Sequence, residues 1–249
     1  KGIILKRKIH DLNMYDAMGS YPLLFCKDWG NLHEDIVGNK NQLVSLAAVT
    51  DPFGKYDLDY LKICFNTLVI PYKEHFVTDL SRTSESFVSK HNRRYAKKAM
   101  KMLSIIESTN PIDLSDTWCG LYSNLVKRHS IKGITNFSKE SLVRQLSVPG
   151  STVLYAMYEG EVIGMTIWYK LGNVAYYHLG AYSDKGYEMR ASYAIFWNAI
   201  EYFRFTGLKW LNLGAGAGVK SNVKDGLSYF KKGWSTDSRM AYFCGHIFN

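Results

Sequence analysis

The sequence is poor in the residues that build metal centres and disulfide frameworks. Its 249 residues include only four cysteines and five prolines. Cys26, Cys64, Cys119 and Cys244 stand far apart and form no C-x-x-C pair, which argues against a zinc site or a redox dithiol. Reduced thiols in a cytosolic protein are the expectation. The seven histidines include no H-E-x-x-H, and no metal is expected. No stretch reaches about 18 apolar residues without a charge, so no transmembrane helix is expected. The start lacks the basic-then-apolar pattern of a secretory signal peptide. Lys1 is not an initiator Met, which leaves room for a missing N-terminal element.

What is present is an ordinary globular mixture. Apolar residues make up 47% and charged residues 21%, which excludes a disordered tail, a collagen-like repeat and a coiled coil. Basic residues outnumber acidic ones 31 to 22, a net charge of +9. Such a balance attracts phosphates, nucleic acid, nucleotide cofactors or an anionic membrane surface; solubility alone is the alternative. At roughly 150 residues per domain, the length fits one large domain or two small ones.

In the first half, Leu43–Val49 and Cys64–Ile70 read as strands, the second stopped by Pro71. Residues 83–107 read as one helix, with Tyr95, Ala99, Met102, Leu103 and Ile106 on one face. Lys90, Arg94, Lys97, Lys98 and Lys101 lie on another face, beside Arg93. That face is either solvated or in contact with a phosphate-bearing ligand. Asn110-Pro111 ends the helix and marks an expected boundary, giving segments 1–110 and 111–249.

The second half is more regular. Helices are expected from Asp113 or Ser115 to about Lys127, and from a Ser138 cap to Leu146. Thr152–Tyr158, Val162–Tyr169 and Val174–Gly180 form an antiparallel meander with a tight Glu159-Gly160 turn. An amphipathic helix over Met189–Phe205, a strand over Trp210–Leu213, a helix over Leu227–Lys232 and a strand over Met240–Ile247 complete the order α-α-β-β-β-α-β-α-β.

Two places read as anion sites. Gly214-Ala215-Gly216-Ala217-Gly218 follows a strand but fits neither a P-loop nor a dinucleotide fingerprint; it is a turned strand exit or a substrate-contacting loop. The stretch from Asp184 to Ser192 joins a strand to a helix N-terminus, where free N–H groups and the helix dipole favour anions. Arg190 supplies charge there, and Ala191 and Ser192 allow close approach; an ordinary helix start is the alternative.

The element order and two motifs resemble the GNAT acyltransferase fold. The 185–192 junction stands where that fold cradles the pyrophosphate of CoA, and Tyr229-Phe230-Lys231-Lys232-Gly233-Trp234 is similar to its Y-x-K-x-G-F ending. More specifically, the second half resembles the Fem-type (FemAB-like) branch. The resembling residues are Glu159-Gly160-Glu161-Val162-Ile163-Gly164, Tyr176–Ala181, Ala191-Ser192-Tyr193 and Asp225-Gly226-Leu227. His91–Lys98 looks like the basic helix these proteins carry late in their first half.

The resemblance implies an α/β (α+β) fold: a mixed, mostly antiparallel sheet flanked by helices, in two GNAT-like halves, the first degenerate. It implies transfer of an acyl or aminoacyl group to an amine, with acyl-CoA or aminoacyl-tRNA as donor. The acceptor would be a small molecule or a cell-wall precursor. Tyr229 would protonate the leaving group, and a phenol protonated at neutral pH suits that role. Lys231 would hold the reacting carbonyl oxygen or a phosphate, and His178 would act as base. Lys185, Gly186, Arg190, Ala191 and Ser192 would bind the donor; Arg128, His129 and Asp225 would bind the acceptor. The donor stays open, because the junction has few glycines and no long charged helical hairpin offers an arm for tRNA. The implied location is cytoplasmic or at the membrane periphery. The rival readings are a degenerate transferase that only binds a nucleotide, RNA or cell-wall precursor, and a basic RNA-binding protein.

Overall fold

The computed structural model describes residues 2–11, 13–20, 22–217 and 226–248. The chain divides into two compact units, 1–75 with 238–249, and 76–237. Asn110-Pro111 lies inside the second of these.

The first unit holds β1 (Ile4–Lys8), β2 (Tyr15–Gly19), β3 (Leu43–Val49) and most of β10 (Asp237–Ile247), in the order β1-β2-β3-β10. Helices α1 (Leu32–Val37) and α2 (Leu58–Cys64) cover its core of Leu43, Leu46, Leu61, Cys64, Phe65 and Cys244. The strand expected over Cys64–Ile70 is corrected. Asp57 caps α2 by accepting from Tyr60 N at 2.7 Å, and Leu61 and Cys64 bury one helical face, so Cys64 ends a helix. The strand β4 begins at Leu68 and runs to Asp79, through Pro71, which is exposed.

The second unit carries a sheet in the order β4 (its end, Phe76–Asp79), β9 (Trp210–Gly214), β8 (Val174–Tyr182), β7 (Glu161–Leu171), β6 (Thr152–Tyr158), β5 (Ser104–Glu107). All neighbours are antiparallel except β8 and β9. The expected single helix over 83–107 is also corrected. Val88 takes an extended conformation after α3 (Ser84–Phe87). Ser89 then caps α4 (Lys90–Ala99), accepting from Asn92 N at 3.2 Å. Ser104–Glu107 pairs with β6 instead of extending the helix; the Ile105-Ile106 pair suits a strand.

One face of this sheet is covered by α8 (Ala191–Phe205), whose Ala194, Ile195, Ala199, Ile200 and Phe203 are fully buried with Trp168, Leu211 and Trp234. The other is covered by α5 (Ser115–His129) and α6 (Lys139–Leu146), which bury Trp118, Leu142 and Leu146 against Val153, Met165 and Ile167. The expected α6 bounds and Ser138 cap hold: Ser138 Oγ accepts from Ser141 N at 3.2 Å. The expected helix over Met189–Phe205 starts two residues later, because α7 (Asp184–Glu188) forms a separate turn with Ser183 as its cap. No described helix is long and apolar enough to cross a membrane.

Candidate active site

The site begins with a fork in the sheet. β8 and β9 pair only over Val174–Tyr176 and Trp210–Asn212. Beyond that, β8 stays with β7 as far as Tyr182, while β9 stays with β4 as far as Gly214. The edge of β8 after Tyr176 therefore faces the fork with no strand partner among the described residues. A β-bulge sits at the same place: Ile167 pairs with Leu179 and Trp168 with Tyr177, so His178 is the extra residue.

Lys231 fills this fork. It lies near the end of α9 (Gly226–Lys232) and is only 5% exposed. Its Nζ donates to the Ala215 carbonyl at 2.7 Å and stands 5.5 Å from the Tyr177 ring centre. Gly214, with φ of +75°, keeps the strand exit close: a Cβ there would stand 3.2 Å from the ammonium. A buried cation is costly unless it is paired and hydrogen-bonded. Here a carbonyl and a π face receive it.

The helix that carries Lys231 is held by α4. Asn92, 1% exposed, donates its Nδ2 to the Phe230 carbonyl at 3.1 Å, and Ser89 N donates to the Gly233 carbonyl at 2.9 Å. Gly233 is required by that approach: a Cβ would meet the Asn92 amide carbon at 2.8 Å. Trp234 then buries its ring against Phe196 and Phe230.

Tyr229, two residues before Lys231, does not enter the fork from this helix turn. It is 67% exposed and meets the His91 ring edge-on at 6.0 Å. His91 in turn faces Tyr95 at 4.6 Å and reaches the Tyr193 hydroxyl at 3.4 Å.

At the junction after β8, Gly186 is buried. A Cβ there would collide with the Ile163 carbonyl oxygen, so this glycine serves close packing. Ala191 is also buried, against Gly164. Arg190 takes a left-handed conformation, φ 57°, and starts α8 with no side-chain cap and no acidic residue in the first turn. Its guanidinium lies 3.5 Å over the Tyr95 ring. Lys185 pairs with Glu188 at 3.2 Å, and Ser192 is half-buried in the first turn of α8.

Arg128 joins this junction: its guanidinium stacks on Tyr187 at 4.1 Å and reaches Asp184 at 3.5 Å. His129 beside it is exposed. Asp225 and Gly218 lie outside the described residues.

The structure places His178 apart from Lys231, on the face covered by α6. Its Nε2 donates to the Gln145 side-chain oxygen at 3.2 Å, and its ring packs on Tyr169 at 4.8 Å. Burial pushes its pKa down from 6.5 to about 4. The unfolded chain therefore binds the extra proton between those values. Stability should be full above pH 6.5 and fall as the pH drops toward 4, by roughly 3 kcal/mol at the acid end. Urea melts of wild type and His178→Gln across that range check this. The variant should lose this part of the acid slope, and an unchanged slope would contradict it.

Tyr177 was not among the residues expected at the site. Strand alternation alone gives no sign of the bulge that sets its phase. Among the described residues, no group of three or more His, Cys, Asp or Glu is placed to hold a metal ion.

The sequence resemblance to GNAT proteins is matched by the comparison of sequences. Residues 89–230 match the family model described as acetyltransferase (GNAT) domain. The chain belongs to the GNAT acetyltransferase family. Among solved structures, FemX is 12% identical with a TM-score of 0.73, covering 99% of this chain and 85% of its own. L-PGS from Bacillus licheniformis is 14% identical with a TM-score of 0.67, covering 100% of this chain and 81% of its own. The C-terminal domain of a protein assigned as lysylphosphatidylglycerol synthetase from Agrobacterium fabrum is 13% identical with a TM-score of 0.68, covering 100% of this chain and 80% of its own. At these identities the likeness is one of fold, and it extends over the whole GNAT chain. No curated protein sequence matches it.

Proposed function

We propose that this protein transfers an acyl or aminoacyl group from an activated ester or thioester to an amine, with the reacting carbonyl held in the β8–β9 fork. The observation that carries this reading is the buried Lys231 ammonium at the point where the strands part. A cation fixed there before reaction is placed to stabilise the oxyanion that forms when the amine attacks. N–H groups on the β8 edge beyond Tyr176 would add to it. The fork aligns donor and acceptor, which supplies much of the remaining rate.

In this scheme the neutral amine attacks the carbonyl carbon, and the tetrahedral intermediate collapses with loss of the thiolate or ribose oxygen. The amine gives up one proton to solvent water and the leaving group takes one. We assign the second transfer to Tyr229, which stands outside the fork beside His91 and would meet the leaving group as it departs. Arg190, Ser192 and the first turn of α8 would bind donor phosphates. Gly186 and Ala191 would hold that turn in place by packing. Arg128 would reach an acceptor across Tyr187. His178, hydrogen-bonded and held neutral, has a structural part.

The test is turnover with two donors and a panel of primary amines. Release of free thiol from acetyl-CoA reports one donor, and loss of labelled amino acid from bulk aminoacyl-tRNA reports the other. Transfer from one donor, reduced at least tenfold in Tyr229→Phe with the affinity kept, is the expected result. Donor binding without any transfer would overturn the enzyme reading in favour of a degenerate binder.

A further inference from the structure

Helix α4 carries Lys90, Arg93, Arg94, Lys97 and Lys98 and no acidic residue. Among the described residues, none of these cations is in an ion pair with a carboxylate. Packing of α4 on α8 brings two arginines from distant parts of the chain to one ring. Arg94 Nη2 donates to the Tyr95 hydroxyl at 3.1 Å, with its guanidinium carbon 4.8 Å from the ring centre. Arg190, from the start of α8, lies 3.5 Å from the same centre. Both arginines are exposed, and neither is in an ion pair with a carboxylate among the described residues.

Two like charges brought to one phenol repel each other. The negative ring face offsets part of that cost. The flat, five-donor fork of each guanidinium is suited to a phosphate. Tyr95 already feels both charges: its phenol is held below the usual tyrosine pKa, first by the Arg94 hydrogen bond and then by Arg190. His91 and Tyr193 stand beside it, at 4.6 and 5.3 Å between ring centres, and His91 leads on to Tyr229. The ring cluster thus connects the arginine pair to the residue assigned to leaving-group protonation.

We infer that Arg94, Tyr95 and Arg190 form a clamp for a phosphate of the donor's nucleotide, so that α4 is part of the donor site. This rests on the transferase reading above and adds to it a second helix and a ligand chemistry. The two activated donors share that chemistry. CoA carries a diphosphate and a 3′-phosphate on adenosine, and the end of tRNA carries a phosphodiester on its terminal adenosine.

The test is titration calorimetry with CoA, dephospho-CoA and the RNA trinucleotide CCA. The proteins are wild type, Arg94→Ala, Arg190→Ala, the double variant, Tyr95→Leu, and Lys98→Ala as a control on the same helix. Melting curves confirm folding. Arg94→Ala and Arg190→Ala should each weaken the bound probe roughly tenfold. The double variant should lose less than the product of the two, because one phosphate is shared. Tyr95→Leu should resemble Arg190→Ala, and Lys98→Ala should change affinity less than about twofold. The losses should persist at high salt, where a diffuse basic surface would be screened.

A loss with CoA but not dephospho-CoA assigns the clamp to the 3′-phosphate. A loss with both assigns it to the diphosphate, and a loss with the trinucleotide alone assigns it to the phosphodiester. If wild type binds a probe and Arg94→Ala binds it equally well, the clamp is overturned and the fork reading stands. If wild type binds none of the three, the donor reading falls and the clamp with it.

Discussion

Replacing Lys231 with methionine should lower kcat/KM for transfer by roughly a hundred- to a thousandfold while leaving the fold intact. Methionine keeps most of the volume of the stem and removes the charge together with its hydrogen bond to Ala215, so the fork stays filled. Lys231→Ala should lose as much activity and also some stability, because the side chain is buried and would leave a cavity. The contrast separates an electrostatic role from packing. Lys231→Arg should not restore activity. The guanidinium is larger than the ammonium that Ala215, Gly214 and Tyr177 enclose, and it does not make the same single short bond. The measurement is steady-state transfer with whichever donor turns over, beside melting temperatures for all three variants. Retention of activity within fivefold in Lys231→Met would remove Lys231 from the mechanism.

Gly186→Ala should be among the most damaging single-methyl changes in the second unit. The new Cβ would fall inside the contact distance of the Ile163 carbonyl oxygen and stand 3.2 Å from Tyr182 Cβ. Ile163 belongs to β7, which pairs with both β6 and β8, and Tyr182 to the end of β8, which pairs with β7; Ile163 O already accepts from Ser183 N at 3.0 Å. Neither can move without disturbing the β7–β8 pair. Forced overpacking of this kind costs about 2–3 kcal/mol, which for a chain of this size lowers Tm by about 5–10 °C. Because α7 leads directly into Arg190 and α8, donor affinity should fall as well. Thermal denaturation checks the first effect and calorimetry the second. The same change at Gly120 is the control, since α5 leaves open space there. An unchanged Tm in Gly186→Ala would mean that the junction shifts freely.

Both effects concern residues the sequence singles out, for reasons it shows only in part. Gly186 reads as a place where phosphate approaches, whereas the structure shows a backbone approaching instead. Lys231 reads from the motif as a carbonyl or phosphate ligand. Its burial depends on Asn92 and Ser89 of α4 docking the end of α9, and no local pattern near residue 231 records that.

Local patterns were sufficient for much of the second half. The period of Tyr193, Phe196, Trp197, Ile200 and Phe203 marks α8. Ser138 starts α6, and Glu159-Gly160 turns β6 into β7; the glycine there has φ of +84°. Each is a short-range signal, settled by neighbours within a turn or a hairpin. The same reading failed over 83–107, where a helical spacing of apolar residues continued into Ser104–Glu107. Pairing with β6 overrode it.

By itself, then, the sequence determined the element order from α5 onward except for the short α7, the basic character of α4 and the family to which the chain belongs. All three depend on spacing and residue type along the chain. Only the tertiary structure decided which side chains meet. It put Lys231 in the fork and left Tyr229, two residues away, beside His91. It moved His178 to the opposite face and joined Arg94 to Arg190 over one ring. The physical reason is that a strand bulge and two helix dockings set these phases. Each arises from contacts between segments far apart in the chain, where local periodicity carries no information.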